Sequence, residues 1–246
     1  MNLRTRRCCY GVVLLAVGAG FVQTLPAQNA ARGKAVVGRQ SRAADAPRKA
    51  MRPGDVDLAR SRAFVLIGAT GLGHEHGAEG RLAAGEIHLG SETNAGKLVF
   101  DMPTFVAETA ASRKYVGLEG EIGQSTARKV TENMLGGDVL NVEKFRTAQF
   151  VIHSAMPAPV KKKTGKADPP FVLDGEFTLH GATRPLKVMA TATAESGGIR
   201  LRGRFTVKQT DFGITPYSKA LGAVGVADEL TIWGDVWLHD DAVSRS

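Results

Sequence analysis

The sequence predicts an all-β protein: an antiparallel sheet of about eight strands, for which closure into a barrel is one stable arrangement, with one or two short helices. Three observations point there. Apolar and polar residues alternate with period two through much of the chain after residue 54, and alternate side chains of a strand face opposite sides of its sheet. Turn-forming residues recur between these runs at hairpin spacing. Glycine supplies 29 of 246 residues, against a usual ~7%, and suits strand bends and tight corners.

Taken in order, residues 56–68 (VDLARSRAFVLIG), 80–89 (GRLAAGEIHL) and 98–106 (LVFDMPTFV) are the first expected strands, with the least regular alternation. Residues 125–135 break the pattern. Ala127, Val130 and Met134 are spaced by three and four, the signature of one helical face, with Ser125 as the N-cap and Gly136-Gly137 as the stop. Asp138 is placed to cap a short second turn through Val142. Residues 148–153 (AQFVIH) return to the strand pattern. Residues 157–170 (PAPVKKKTGKADPP) read as a solvated hairpin loop.

The second half is more regular. In Phe171 to His180, Phe171, Leu173, Phe177 and Leu179 oppose Asp174, Glu176, Thr178 and His180, and residues 181–184 form the turn. In 185–195, Leu186, Val188, Ala190, Ala192 and Ala194 share a face, with Met189 the exception among the polar residues. Gly197-Gly198 is a two-residue hairpin signal. Ile199, Leu201, Phe205 and Val207 then face away from Arg200, Arg202, Arg204 and Lys208. Leu230, Ile232, Val236 and Leu238 make the last strand, with Trp233 and Trp237 on its other face. Successive strands with one apolar face indicate an antiparallel meander. Closing it removes the exposed sheet edges. A barrel of this size is either filled by its own side chains or holds one small ligand.

The net charge of +8 is unevenly placed. Residues 1–27 carry +3, residues 28–53 carry +6, and the remainder carries −1. A near-neutral body argues against nucleic-acid binding. Residues 1–27 have a basic start (Arg4, Arg6, Arg7), a 12-residue apolar run from Gly11 to Val22, and the small Ala27 before Gln28. This is the pattern of a cleaved signal peptide, and it predicts a periplasmic or secreted protein. Cys8 and Cys9, the only cysteines, precede the apolar run, which excludes a lipid-anchor reading and leaves the mature chain without thiols. Residues 28–53 read as a disordered basic linker, a candidate for peripheral membrane contact, followed by a domain over 54–240 and a tail over 241–246.

Several segments resemble the YceI-like family. Phe177-Thr-Leu-His-Gly-Ala-Thr-Arg-Pro-Leu186 is similar to that family's G-x-L-T-x-x-G-V-T-R-P-V signature, and residues 202–214 (RGRFTVKQTDFGI) to its F-x-I-x-R-S-D-F-G-I segment. Residues 133–145 (NMLGGDVLNVEKF) and 82–87 (LAAGEI) resemble two earlier motifs more loosely. Arg146 stands where proline is usual, Gln209-Thr210 replaces Arg-Ser, and residues 73–77 (GHEHG) are unusually rich in histidine. The resemblance implies an extended, lipocalin-like antiparallel barrel with a helix at its side. It also implies an apolar isoprenoid or fatty chain bound inside.

The candidate lining comes from the inward-facing residues. Phe100, Met102, Phe150 and Ile152 come from the first half of the domain; Phe171, Leu173, Phe177, Leu179, Phe205, Val207 and Ile232 come from the second. Head-group candidates are His74, His76, Tyr217, Ser218 and Lys219. In an extended stretch His74 and His76 face the same way, so a metal site completed by His153, His180 or His239 is an alternative. In residues 211–219, Phe212 and Ile214 are alternatively a structural plug. No G-x-S-x-G elbow, H-E-x-x-H motif or carboxylate pair with clear roles occurs. The expected function is therefore that of an exported, non-enzymatic binding protein for a lipophilic small molecule, an isoprenoid or quinone being a bound ligand and not a cofactor. A metal-binding periplasmic protein and a structural or stress-related envelope protein with a filled barrel are the alternatives. The sequence assigns no oligomeric state.

Overall fold

The computed structural model describes residues 51–159, 170–220 and 223–240. The expected signal peptide, most of the linker, most of the lysine-rich loop and the tail lie outside the described residues. The strands are β1 (Arg62–Gly71), β2 (His76–Ile87), β3 (Gly96–Ala107), β4 (Thr147–Pro157), β5 (Phe171–Leu179), β6 (Ala182–Glu195), β7 (Gly198–Lys208), β8 (Ser218–Lys219) and β9 (Val224–Leu238). From β1 to β7 each strand pairs antiparallel with the next; β7 pairs with β9, and β9 returns to β1. Eight strands thus close into a barrel, with the two-residue β8 attached to the start of β9. Closure leaves those strands without a free edge.

The alternation places the core. In β5, Leu173, Gly175, Phe177 and Leu179 are buried while Glu176 is exposed, and in β7 Leu201 is buried while Arg202 and Arg204 are exposed. Met189 is 50% exposed, as its place among polar residues requires. Register shifts in β1–β9, β2–β3 and β4–β5 mark bulges that bend the strands around the barrel. Gly80 takes the ring of Phe105 directly against its backbone, where a Cβ would overlap it.

Two turns differ from expectation. The β5–β6 turn is His180-Gly181, both left-handed at φ 51° and 79°, the two-residue hairpin that matches strand twist. The β6–β7 loop is Ser196-Gly197, and Gly198 already pairs with Glu195 in the ladder. Gly197 at the tip has φ 91°, and Gly198 has φ 140° with the Leu238 carbonyl where a Cβ would stand, so glycine is favoured both at the tip and inside the strand.

Two helices join β3 to β4. Helix α1 (Ala110–Val116) was not anticipated; α2 (Gln124–Leu135) was, though its N-cap is Gly123, not Ser125, and makes no side-chain hydrogen bond. Residues 138–142 form turns. Thr109 caps α1 by accepting from Ser112 N at 2.9 Å, and Gly117 ends it in the left-handed region. Helix α1 packs on the outside of β1 and β2, where Tyr115 stacks on Phe64 with ring centroids 3.8 Å apart. Burial, and Asp235 nearby, push the Tyr115 hydroxyl above its ordinary value. Arg200 grips Asp235 through two hydrogen bonds of 2.8 and 2.6 Å, which hold its guanidinium protonated above the usual range.

The barrel's two ends differ. At one, Asp55 bridges to Glu86 and Val56 to Leu238, so residues 54–61 close off the ends of β2 and β9. At the other, Val130, Asn133 and Met134 of α2 face the interior.

A lipophilic cavity with a polar end

Two cavities lie inside the barrel. The larger, of about 160 Å³, reaches from the α2 end to mid-barrel; the smaller, of about 50 Å³, lies toward the closed end. An apolar cavity of about 150 Å³ is enough to hold a benzene-sized ligand, so the larger cavity has room for a short apolar segment.

Of the expected lining residues, Phe100, Met102, Phe177, Leu179, Phe205 and Ile232 border the larger cavity. Phe150 and Leu173 border the smaller, which Phe100, Phe177, Phe205 and Ile232 also touch. Ile152, Phe171 and Val207 border neither. Ile152 is fully buried in the packed core, and Phe171 and Val207 pack against that core. Inward-facing residues run the whole length of each strand, but the hollow occupies only part of it.

The residues around the larger cavity include no lysine, arginine, aspartate or glutamate; its polar side chains are His76, Asn133, Gln209 and Tyr217. The Nδ1 of His76 lies 2.9 Å from Oε1 of Glu108. That carboxylate also accepts from Gly77 N at 3.2 Å and from Arg113 Nη1 at 2.5 Å, and its side chain has no solvent exposure. Glu108 Oε1 thus meets both His76 Nδ1 and the Gly77 amide, and Nε2 is the ring's remaining polar atom. Glu108 sits at φ 64°, an uncommon conformation for a non-glycine residue. It turns the chain as it leaves β3, while Ser112 Oγ donates to the Gly77 carbonyl and fastens α1 alongside. Asn133 Nδ2 donates to the Tyr217 hydroxyl at 3.2 Å, and Gln209 Nε2 to the Ala227 carbonyl at 2.8 Å.

Two histidines expected together are separated. His74 is exposed in the β1–β2 connection, while His76 begins β2 and meets the cavity. Among the described residues, no three histidine, cysteine or carboxylate side chains gather to hold a metal. Ser218 and Lys219 are exposed on β8; only Tyr217 of that trio borders the cavity. Phe212 and Ile214 are buried in the core. Asn133 and Gln209 were missed. Asn133 stands three residues after Val130, so the helical period that marked α2 also placed it inward. Gln209 follows the last alternating residue of β7, in a 3-10 turn where strand periodicity no longer applies.

Comparison with known proteins follows the same outline. Residues 56–236 match the YceI-like domain family. A UPF0312 protein of Shewanella sp. strain ANA-3 is 36% identical over 89 residues, 34% of this chain and 42% of that protein. The chain thus matches under half the length of this curated relative. Among solved structures, a polyisoprenoid binding domain from Saccharophagus degradans aligns with a TM-score of 0.50 at 10% identity, covering 76% of this chain and 99% of that one. Burkholderia cenocepacia BcnA aligns at 0.47 with 17% identity, covering 74% and 98%. With the closed eight-stranded barrel and the family match across nearly all of it, the chain belongs to the YceI-like domain family.

Proposed function

We propose that this protein is an exported, non-catalytic carrier that holds a lipophilic chain, such as an isoprenoid, quinone or fatty-acid-like tail, inside its barrel. The carrying observation is the roughly 160 Å³ apolar cavity, whose polar side chains gather near α2 and the start of β2. Each methylene buried there contributes about 0.8 kcal/mol, so affinity grows with the length of chain enclosed, against the costs of ordering. The polyisoprenoid-binding neighbour of like fold supports the ligand class. The hydrogen bonds already made by His76, Asn133 and Gln209 support a positioning role for these groups over a reactive one. Export rests on the N-terminal pattern alone, and the basic linker is the proposed membrane contact.

Solvent extraction of protein purified from its native source, followed by mass spectrometry, tests the ligand reading. A co-purifying apolar chain at near-stoichiometric amount is expected; a barrel that stays empty after lipid feeding refutes the reading. A secretion-reporter fusion of residues 1–30 tests export, and cytoplasmic retention would overturn it.

A further inference from the structure

The two cavities share one stretch of wall: Ala63, Phe100, Phe177, Phe205 and Ile232 border both. The three phenylalanines come from β3, β5 and β7, alternate strands of the barrel. Phe177 is their hub. It meets Phe100 edge-to-face at 6.4 Å and Phe205 at 5.8 Å, and it is braced from behind by Phe212 at 5.7 Å. All three distances fall in the range that aromatic rings favour for this geometry. Rotating Phe177 aside gives up three such contacts together.

We propose that this phenylalanine layer is a chain-length stop, so that the protein selects short lipophilic chains over long ones. This rests on the reading that the larger cavity binds an apolar chain. A chain entering from the α2 end fills the 160 Å³ space and reaches Phe177. Going further means displacing the ring into a remaining space of only 50 Å³. Opening the layer joins the two spaces and lets a chain extend further into the barrel.

The test is calorimetric titration of the wild-type domain, Phe177→Ala and Phe177→Leu with a series of 1-alkanols from six to eighteen carbons. Wild-type affinity should rise about fourfold per added methylene and then level off or fall at a defined length. In the Phe177 variants that break should move to longer chains. If the alanine variant does not fold, the leucine variant alone carries the test. Phe212→Leu, which weakens the brace behind Phe177 but leaves the stop itself in place, should move the break less than Phe177→Ala does. An unmoved break in a folded Phe177 variant, or affinity that climbs without a break to eighteen carbons in wild type, overturns the stop while leaving the carrier reading intact. No binding of any alkanol to any of the proteins overturns both.

Discussion

Replacing Arg113 with methionine is expected to destabilise the barrel by about 3–5 kcal/mol, the usual cost of stranding one member of a buried ion pair. The structure supports a value in that range. Glu108 is fully enclosed and the Arg113 side chain is only 10% exposed. Arg113 also donates to the carbonyls of Gly120 and Glu119, fastening the segment that leads from α1 into α2. The variant leaves Glu108 with His76 and the Gly77 amide but without its guanidinium partner. A domain of this size loses about 2–4 °C in Tm per kcal/mol, so the expected fall is about 6–20 °C. Urea denaturation followed by circular dichroism measures it. Adding Glu108→Gln to Arg113→Met removes the stranded charge; the double variant should recover at least about 1 kcal/mol, leaving mainly an unsatisfied amide costing about 1–3 kcal/mol. A single-variant loss below about 1 kcal/mol, the range of exposed pairs, would refute the argument. So would a double variant less stable than Arg113→Met.

Two other expectations concern the polar groups. His76→Phe keeps the ring volume and removes Nε2, so affinity for 1-decanol should fall roughly two- to tenfold, the worth of one hydrogen bond, while affinity for n-decane stays level; calorimetry on both ligands decides. Asp228 accepts from Thr210 N and Oγ1 at 2.9 and 2.7 Å, which holds its carboxyl below its ordinary value. With the folded value depressed, its contribution to stability is complete above the unfolded pKa, near 3.9, and is lost as pH falls through the folded value. Carbon-detected NMR titration should show Asp228 titrating below the ordinary aspartate value, about 3.9, and Thr210→Ala should raise it.

The barrel was legible because its information is local. The alternation in β5 and β7 specifies which side of the sheet each residue faces, and a one-residue slip would reverse every side chain. Helix α2 announced itself through Ala127, Val130 and Met134. Helix α1 did not, because much of what holds AASRKYV is remote: Phe64 beneath Tyr115 and Gly77 on Ser112. The choice between His74 and His76 was hidden for the same reason, since the carboxylate that fixes His76 lies 32 residues away. The inward phenylalanines could be read one by one. That Phe100, Phe177 and Phe205 stand at one level of the barrel depends on strand register, which bulges in β2–β3 and β4–β5 shift in ways that no run of alternation reveals.

Helix α2 bears on time as well as on affinity. No residue of the helix is fully buried, glycines stand at positions 123, 136 and 137 on its flanks, and its ties to the barrel include Thr131 to Ala107 and Asn133 to Tyr217. Elements with few buried contacts open at a small fraction of the global unfolding free energy. Under the proposed carrier reading, the strands would supply the grip on a chain and an opening of α2 would set how fast it leaves.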